Sequence, residues 1–237
     1  MNRRLGLIVP SSNTVMEPEF YELLSPDFSI HTARMRLKEV TAESLAKMEE
    51  EAEEESLKLA DAGVGIIGYG CTSGSLLKGM GHDKVIEEKI EKCSGIPAVA
   101  TSGAVIDALK AFNVRKIAVA TPYIDEINAL EKKFLSASAF QIVDFKAFGI
   151  KENLKIGKLK PEQAYELVME LDSKEAEVIF ISCTNFSTIE VIEKLEGELG
   201  KPVISSNIAT IWAMLKKFKG SKPKIEGCGK LLREKLR

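Results

Sequence analysis

Histidine is almost absent from these 237 residues; there are two, His31 and His82. Neither lies in a punctuated loop beside a nucleophile. A Ser-His-Asp or Cys-His mechanism, which needs a positioned imidazole, therefore has no candidate. Zinc would need Cys and His ligands clustered at short spacing, and no such cluster is present. Cysteine is scarce too. Four in this length do not make a disulfide framework, and cytosolic thiols stay reduced. "GYGCTSG" (68–74) lacks the GK[ST] ending of a phosphate loop. No apolar run reaches the roughly 18 to 20 residues of a bilayer span. The apolar run in "MNRRLGLIVPSSN" is about five residues, short of the roughly 7 to 15 of a signal-peptide core. It reads as a first buried strand, and a cytoplasmic location is expected. Charge is balanced as well: a net −2 gives no electrostatic reason to bind nucleic acid or acidic membranes.

What the chain does have is an ordinary globular balance, 45% apolar and 29% charged, and enough length to bury a full core. Short β-branched runs alternate with amphipathic charged segments. Strands are expected at 5–10, 28–37, 63–70, 97–101, 116–122, 141–150, 177–183 and 201–206. Helices are expected at 42–62, 82–93, 102–112, 124–137, 161–172, 187–199 and 207–217. This alternation predicts α/β architecture, with parallel sheets covered by helices on both faces. The acidic run within 42–62 reads as the solvated face of one helix, stopped at Gly63.

The sequence also echoes itself. Pro10 and Pro122 follow apolar runs, and Cys71 and Cys183 end later ones; both pairs are 112 residues apart (122 − 10 and 183 − 71). "IPAVATSGAVIDAL" and "KPVISSNIATIWAML" match at an offset of about 105. The expectation is two pseudo-symmetric, doubly wound parallel-sheet lobes with the active site in the cleft between them. Residues 1–112 form the N-terminal lobe, which can also receive helix 207–217. Residues 113–206 form the C-terminal lobe, and 218–237 a basic tail. Ligands of such sheets bind beyond the carboxyl ends of the strands, where "YGCTSGS" and "ISCTNFST" both place a Cys-Thr pair. A helix starting after each cysteine would offer N–H groups that lower a thiol pKa and hold an anion. Thr72, Ser73, Thr184 and Asn185 would add hydroxyls and an amide for a carboxylate. The plain alternative is two buried structural cysteines. Cys93, and Cys228 in the tail, lack this setting.

Together, "VPSSNTVMEPEF", "YGCTSGS", "ATPYIDEIN", "GIKENLKIG" and "SCTNFSTIEVIEKLE" resemble the maleate cis–trans isomerases, grouped with arylmalonate decarboxylases in the aspartate/glutamate racemase superfamily. The likeness spans about residues 3–217. It implies two similar lobes with the site between them, and a cysteine pair working without metal or cofactor. By that resemblance Cys71 matches the nucleophile that bonds to the alkene carbon. Cys183 matches the thiol that handles protons on the other side. Asn13, Tyr123 and Asn153 match the residues that grip the substrate. A small dicarboxylate is the expected partner and a homodimer the expected assembly. No Arg lies within these motifs; Arg34 and Arg36 could reach in from the neighbouring strand.

Three other functions remain open. A two-thiol amino-acid racemase would carry His or Glu after its cysteines, where this chain has Gly74-Ser75 and Phe186-Ser187. An arylmalonate-type decarboxylase typically keeps only the second cysteine. A non-catalytic carboxylate-binding protein would need neither thiol.

Overall fold

A computed structural model describes residues 3–171, 174–219, 223, 225 and 228–236. Met1 and Asn2 of the expected first lobe, position 172 of the expected helix 161–172, and parts of the expected tail lie outside the described residues. The first half runs β1 (Arg4–Pro10), α1 (Met16–Leu24), β2 (Ser29–Met35), α2 (Ala42–Glu49), α3 (Ala52–Asp61), β3 (Ile66–Tyr69), α4 (Thr72–Leu76), α5 (His82–Ser94), β4 (Ala98–Ala100) and α6 (Thr101–Ala111). The second runs β5 (Lys116–Thr121), α7 (Asp125–Ala137), β6 (Gln141–Ala147), α8 (Asn153–Ile156), α9 (Pro161–Met169), β7 (Val178–Ile181), α10 (Ile189–Leu199) and β8 (Val203–Ser205). α11 (Ser206–Lys217) and α12 (Gly229–Lys235) close the chain.

Two four-stranded parallel sheets result, ordered β2-β1-β3-β4 and β6-β5-β7-β8. The same order twice is the duplication that the equal offsets predict. In β3 and β7 every residue is buried, because helices cover both faces of a parallel sheet. The expected strands are there, several trimmed at their ends. α11 crosses back onto the first sheet and packs on α6, β3 and β4, while α6 touches β8. α11 thus lies against elements of the first half.

Four details differ from the sequence reading. The expected helix 42–62 is two helices. Glu50 and Glu51 donate to Lys47 and Met48, three residues back, which tightens the turn and bends the path. That bend lets α2 pack over α4 while α3 lies on β1, β2 and α5. α1 is not among the expected helices, and it contains Pro18. That proline sits in the first turn, where its missing N–H is not needed. The short α4 and α8 carry too few residues to show a period. Finally, the basic tail holds α12, with Leu231, Leu232 and Leu236 buried, packed against α10, α11 and β8. Its leucines drive that docking, while Arg233 is exposed and Lys230 and Lys235 are half-buried.

Candidate active site

β3 ends at Tyr69, and Cys71 caps the helix that follows. The Cys71 Sγ accepts the Gly74 N–H at 3.3 Å and lies 3.7 Å from the Ser73 hydroxyl. Gly74 eases this approach. A Cβ there would lie 3.1 Å from the Cys71 Sγ, the Met48 Cε and the Tyr69 Oη alike. Burial pushes the Cys71 thiol up, while the Gly74 N–H and Ser73 pull it back toward ionisation.

Cys183 ends β7 in a different way. Its φ of 102° lies on the left-handed side, unusual for a residue with a Cβ. Its Sγ accepts the Asn185 N–H at 3.3 Å and a hydrogen bond from the Tyr123 hydroxyl. No helix starts there; a turn runs to Thr188 and α10 begins at Ile189. The expectation of a helix N-terminus behind each thiol therefore holds for Cys71 and fails for Cys183. The positive φ breaks the helical path, and Thr184 and Asn185 are held by bonds across the cleft. Burial pushes Cys183 to about 12; Tyr123 and Asn185 oppose this, and negative charge on Cys71 or Glu131 adds to it. Burial and the facing Cys183 hold Tyr123 well above its usual range.

The two cysteine loops touch. Thr72 donates to the Ser206 hydroxyl at 2.9 Å, and Ser206 accepts the Cys183 N–H at 3.1 Å. Thr184 donates to the Gly70 carbonyl at 3.0 Å and accepts from the Asn13 amide at 3.1 Å. The Asn185 side chain accepts the Thr14 N–H at 2.8 Å and donates to the Asn153 carbonyl at 2.7 Å. The Asn153 amide donates to the Ser12 hydroxyl at 2.9 Å. Both thiols are 4% exposed and unpaired by any disulfide. The arrangement is a closed junction of two thiols of unlike environment, ringed by amides and hydroxyls.

A sequence profile of the arylmalonate decarboxylase family matches residues 5–232. The chain belongs to the arylmalonate decarboxylase family. Within it the chain is similar to the maleate isomerase of Pseudomonas putida, 31% identical over 97% of this chain and 96% of that one. It is also similar to the maleate isomerase of Nocardia farcinica, at 32% over 98% and 96%. A solved Cys-to-Ser variant of the Nocardia farcinica maleate cis–trans isomerase carries a covalently bound succinylcysteine intermediate. It overlays with a TM-score of 0.93 at 30% identity, covering 98% of each chain. The fold and the family resemblance expected from the sequence both stand.

In this family member all nine residues singled out from the sequence lie at or beside the junction, but their side chains are not equally free. The Asn13 oxygen accepts the Val15 and Met16 N–H groups in the turn that leads into α1, so only its amide faces outward from that turn. Thr72, Thr184 and Asn185 spend their polar atoms joining the halves. Arg34 donates to the Ser11 and Asn13 carbonyls and to Glu17, bracing the loop before α1. Among the described residues, no cluster of three His, Cys, Asp or Glu side chains could hold a metal ion.

Sequence reasoning missed Ser206, Glu19, Asn207 and Glu131. Glu19, on α1, accepts the Thr188 and Ile189 N–H groups at 2.8 and 3.3 Å and the Asn207 amide at 2.6 Å. Burial still holds it up at about 7. The available signal was the repeat itself, since Glu19 and Glu131 are also 112 apart (131 − 19).

Proposed function

We propose that this protein isomerises maleate to fumarate without a cofactor, with Cys71 as nucleophile. The Cys71 thiolate adds to one alkene carbon, and the π pair moves onto the neighbouring carbon and its carboxylate as an enediolate. Cys183 gives that carbon a proton, leaving a succinyl thioether. The former double bond is now single and turns. Cys183 takes the proton back, the pair reforms the double bond in the trans sense, and Cys71 leaves as thiolate. Atoms, protons and electrons balance around the cycle.

What supports this reading is the pairing of unlike thiols across one junction. Cys71 has donors that favour the thiolate. Cys183 is held protonated, as an acid must be. Full-length likeness to maleate isomerases, one of them solved as a succinylcysteine, points the same way. Asn13, Ser73, Tyr123 and Asn153 are assigned to the substrate carboxylates and the enediolate. Thr72, Thr184 and Asn185 contribute by fixing the loops that present them. A homodimer and a cytoplasmic location belong to the same proposal; no described helix is long and apolar enough to cross a membrane.

The test is incubation with maleate followed by proton NMR, with an arylmalonate in parallel. Fumarate from the first and no decarboxylation of the second is the expected result. Decarboxylation without fumarate would overturn the proposal.

A further inference from the structure

The duplicated lobes place two buried glutamates at equivalent points, and only one of them is satisfied. Glu19 receives three N–H donors. Two of these are backbone N–H groups of Thr188 and Ile189, free because α10 has only just begun. The matching positions in the first repeat are 76 and 77 (188 − 112 and 189 − 112). They lie at the end of α4, where the Leu77 N–H already bonds the Gly74 carbonyl. The third donor is Asn207, whose counterpart by the 105 offset is Ser102 (207 − 105), too short to play the same part. So among the described residues Glu131 keeps a single donor: the Ser182 hydroxyl, 2.5 Å from its Oε1. Its Oε2 is buried without a protein partner, and so is the Ser102 Oγ. Glu131 itself is 1% exposed.

A carboxylate with one donor in such a place is costly, and the neutral acid is the cheaper occupant. Burial accordingly raises Glu131 to about 7. The residue bonded to it, Ser182, directly precedes Cys183. Negative charge on Glu131 raises both Cys183 and Tyr123. Other elements packed on α7 bring few rival charges. α4 carries Cys71 at its cap. β6 brings Lys146 and Asp144, whose carboxylate accepts the Phe145 N–H.

We infer that Glu131 is a positioning residue for proton transfer, a carboxyl that holds its own proton so that Cys183 can pass through its thiolate. During the cycle Cys183 lends its proton to the substrate carbon and recovers it. Glu131 exchanges nothing; it keeps its O–H, and a negative charge there would repel the transient thiolate. Once pH rises enough to ionise Glu131, the Cys183 thiolate is suppressed. The use of that thiolate rests on the isomerase reading; the electrostatic link between the two residues does not.

The experiment separates the two. In a background with Cys71, Cys93 and Cys228 all replaced by Ser, so that Cys183 is the one remaining thiol, the rate of its alkylation by iodoacetamide is followed by intact mass from pH 7 to 10, with and without Glu131→Gln. The Gln variant should alkylate about threefold faster or more at pH 8 to 9, the effect of roughly half a pKa unit. Superimposable profiles would overturn the inference whatever the substrate is. If Glu131→Gln does not fold, Glu131→Met, equally uncharged, is read in the same way. With Cys71 intact, the alkaline limb of maleate turnover should move to higher pH in the Gln variant. Loss of maleate turnover in the wild type would sink the isomerase reading and leave the alkylation result standing.

Discussion

At the scale of single residues, the two cysteines share a position in the repeat but not an environment. Cys71 caps a helix and meets a backbone N–H and a serine hydroxyl; Cys183 sits at positive φ under a tyrosine. They are expected to fail differently. Cys71→Ala should lower maleate turnover by several powers of ten, measured by NMR, since the other thiol at the junction, Cys183, is pushed up to about 12 and stays protonated. Cys183→Ala should instead accumulate a Cys71 adduct one maleate heavier by intact mass, because addition precedes the proton transfer that needs Cys183. Gly74→Ala places a methyl against three atoms at 3.1 Å. The Met48 end can yield, so the protein should fold at a cost of about 1 to 3 kcal/mol. Its readout is slower alkylation of Cys71, as the Sγ is pushed off the residue 74 N–H.

At the scale of elements, α1 is the piece that fastens one lobe's cleft loop to the other. The Asn13 oxygen holds the turn at its start, and Glu19 on its buried face accepts the first amides of α10 and the Asn207 side chain. Glu19→Ala leaves those buried donors unpaired and should cost about 3 kcal/mol or more of stability in urea melts. Glu19→Gln, which keeps one acceptor oxygen, should cost less. α2 plays a related part on the other side. Its Glu49 is buried against His82 at 2.8 Å, with Lys78 and Lys89 also on the carboxylate. The bend after Glu49 is what lets this helix set Met48 against Gly74.

At the scale of the whole molecule, buried acids give stability a distinctive pH dependence. Glu131 has a folded pKa raised from 4.5 to about 7. Below pH 4.5 it is neutral folded or unfolded. As pH rises toward 7 the unfolded chain releases the proton first, so the stability associated with the neutral acid is progressively lost. Glu131→Gln removes this dependence. Its stability relative to wild type should therefore climb by a few kcal/mol between about pH 4.5 and 7 and level off above, in urea titrations at fixed salt. A difference that stayed flat across that window would show Glu131 ionising in the fold as it does in water.

Much of this was legible in the chain itself. Alternating apolar runs and amphipathic segments fixed the α/β class, since a strand buried on both faces must read as a continuous apolar run. Equal offsets between Pro10 and Pro122, and between Cys71 and Cys183, determined the duplication, because a repeated fold repeats its punctuation. The quoted motifs located the cysteine pair and the polar residues around it. Tertiary structure decided what each residue is free to do. Asn185 and Thr184 look like ligand groups in sequence, yet their polar atoms are held by Thr14, Asn153 and Gly70, residues more than thirty positions away. Glu19 and Glu131 look like ordinary helix-surface acids, in a chain where most are. Burial at the junction sets them apart, and the donors that reach one and miss the other come from distant turns. Hydrophobic period and turn chemistry are local and can be read along the chain. The partner of a buried polar group is set by packing, and the chain does not state it.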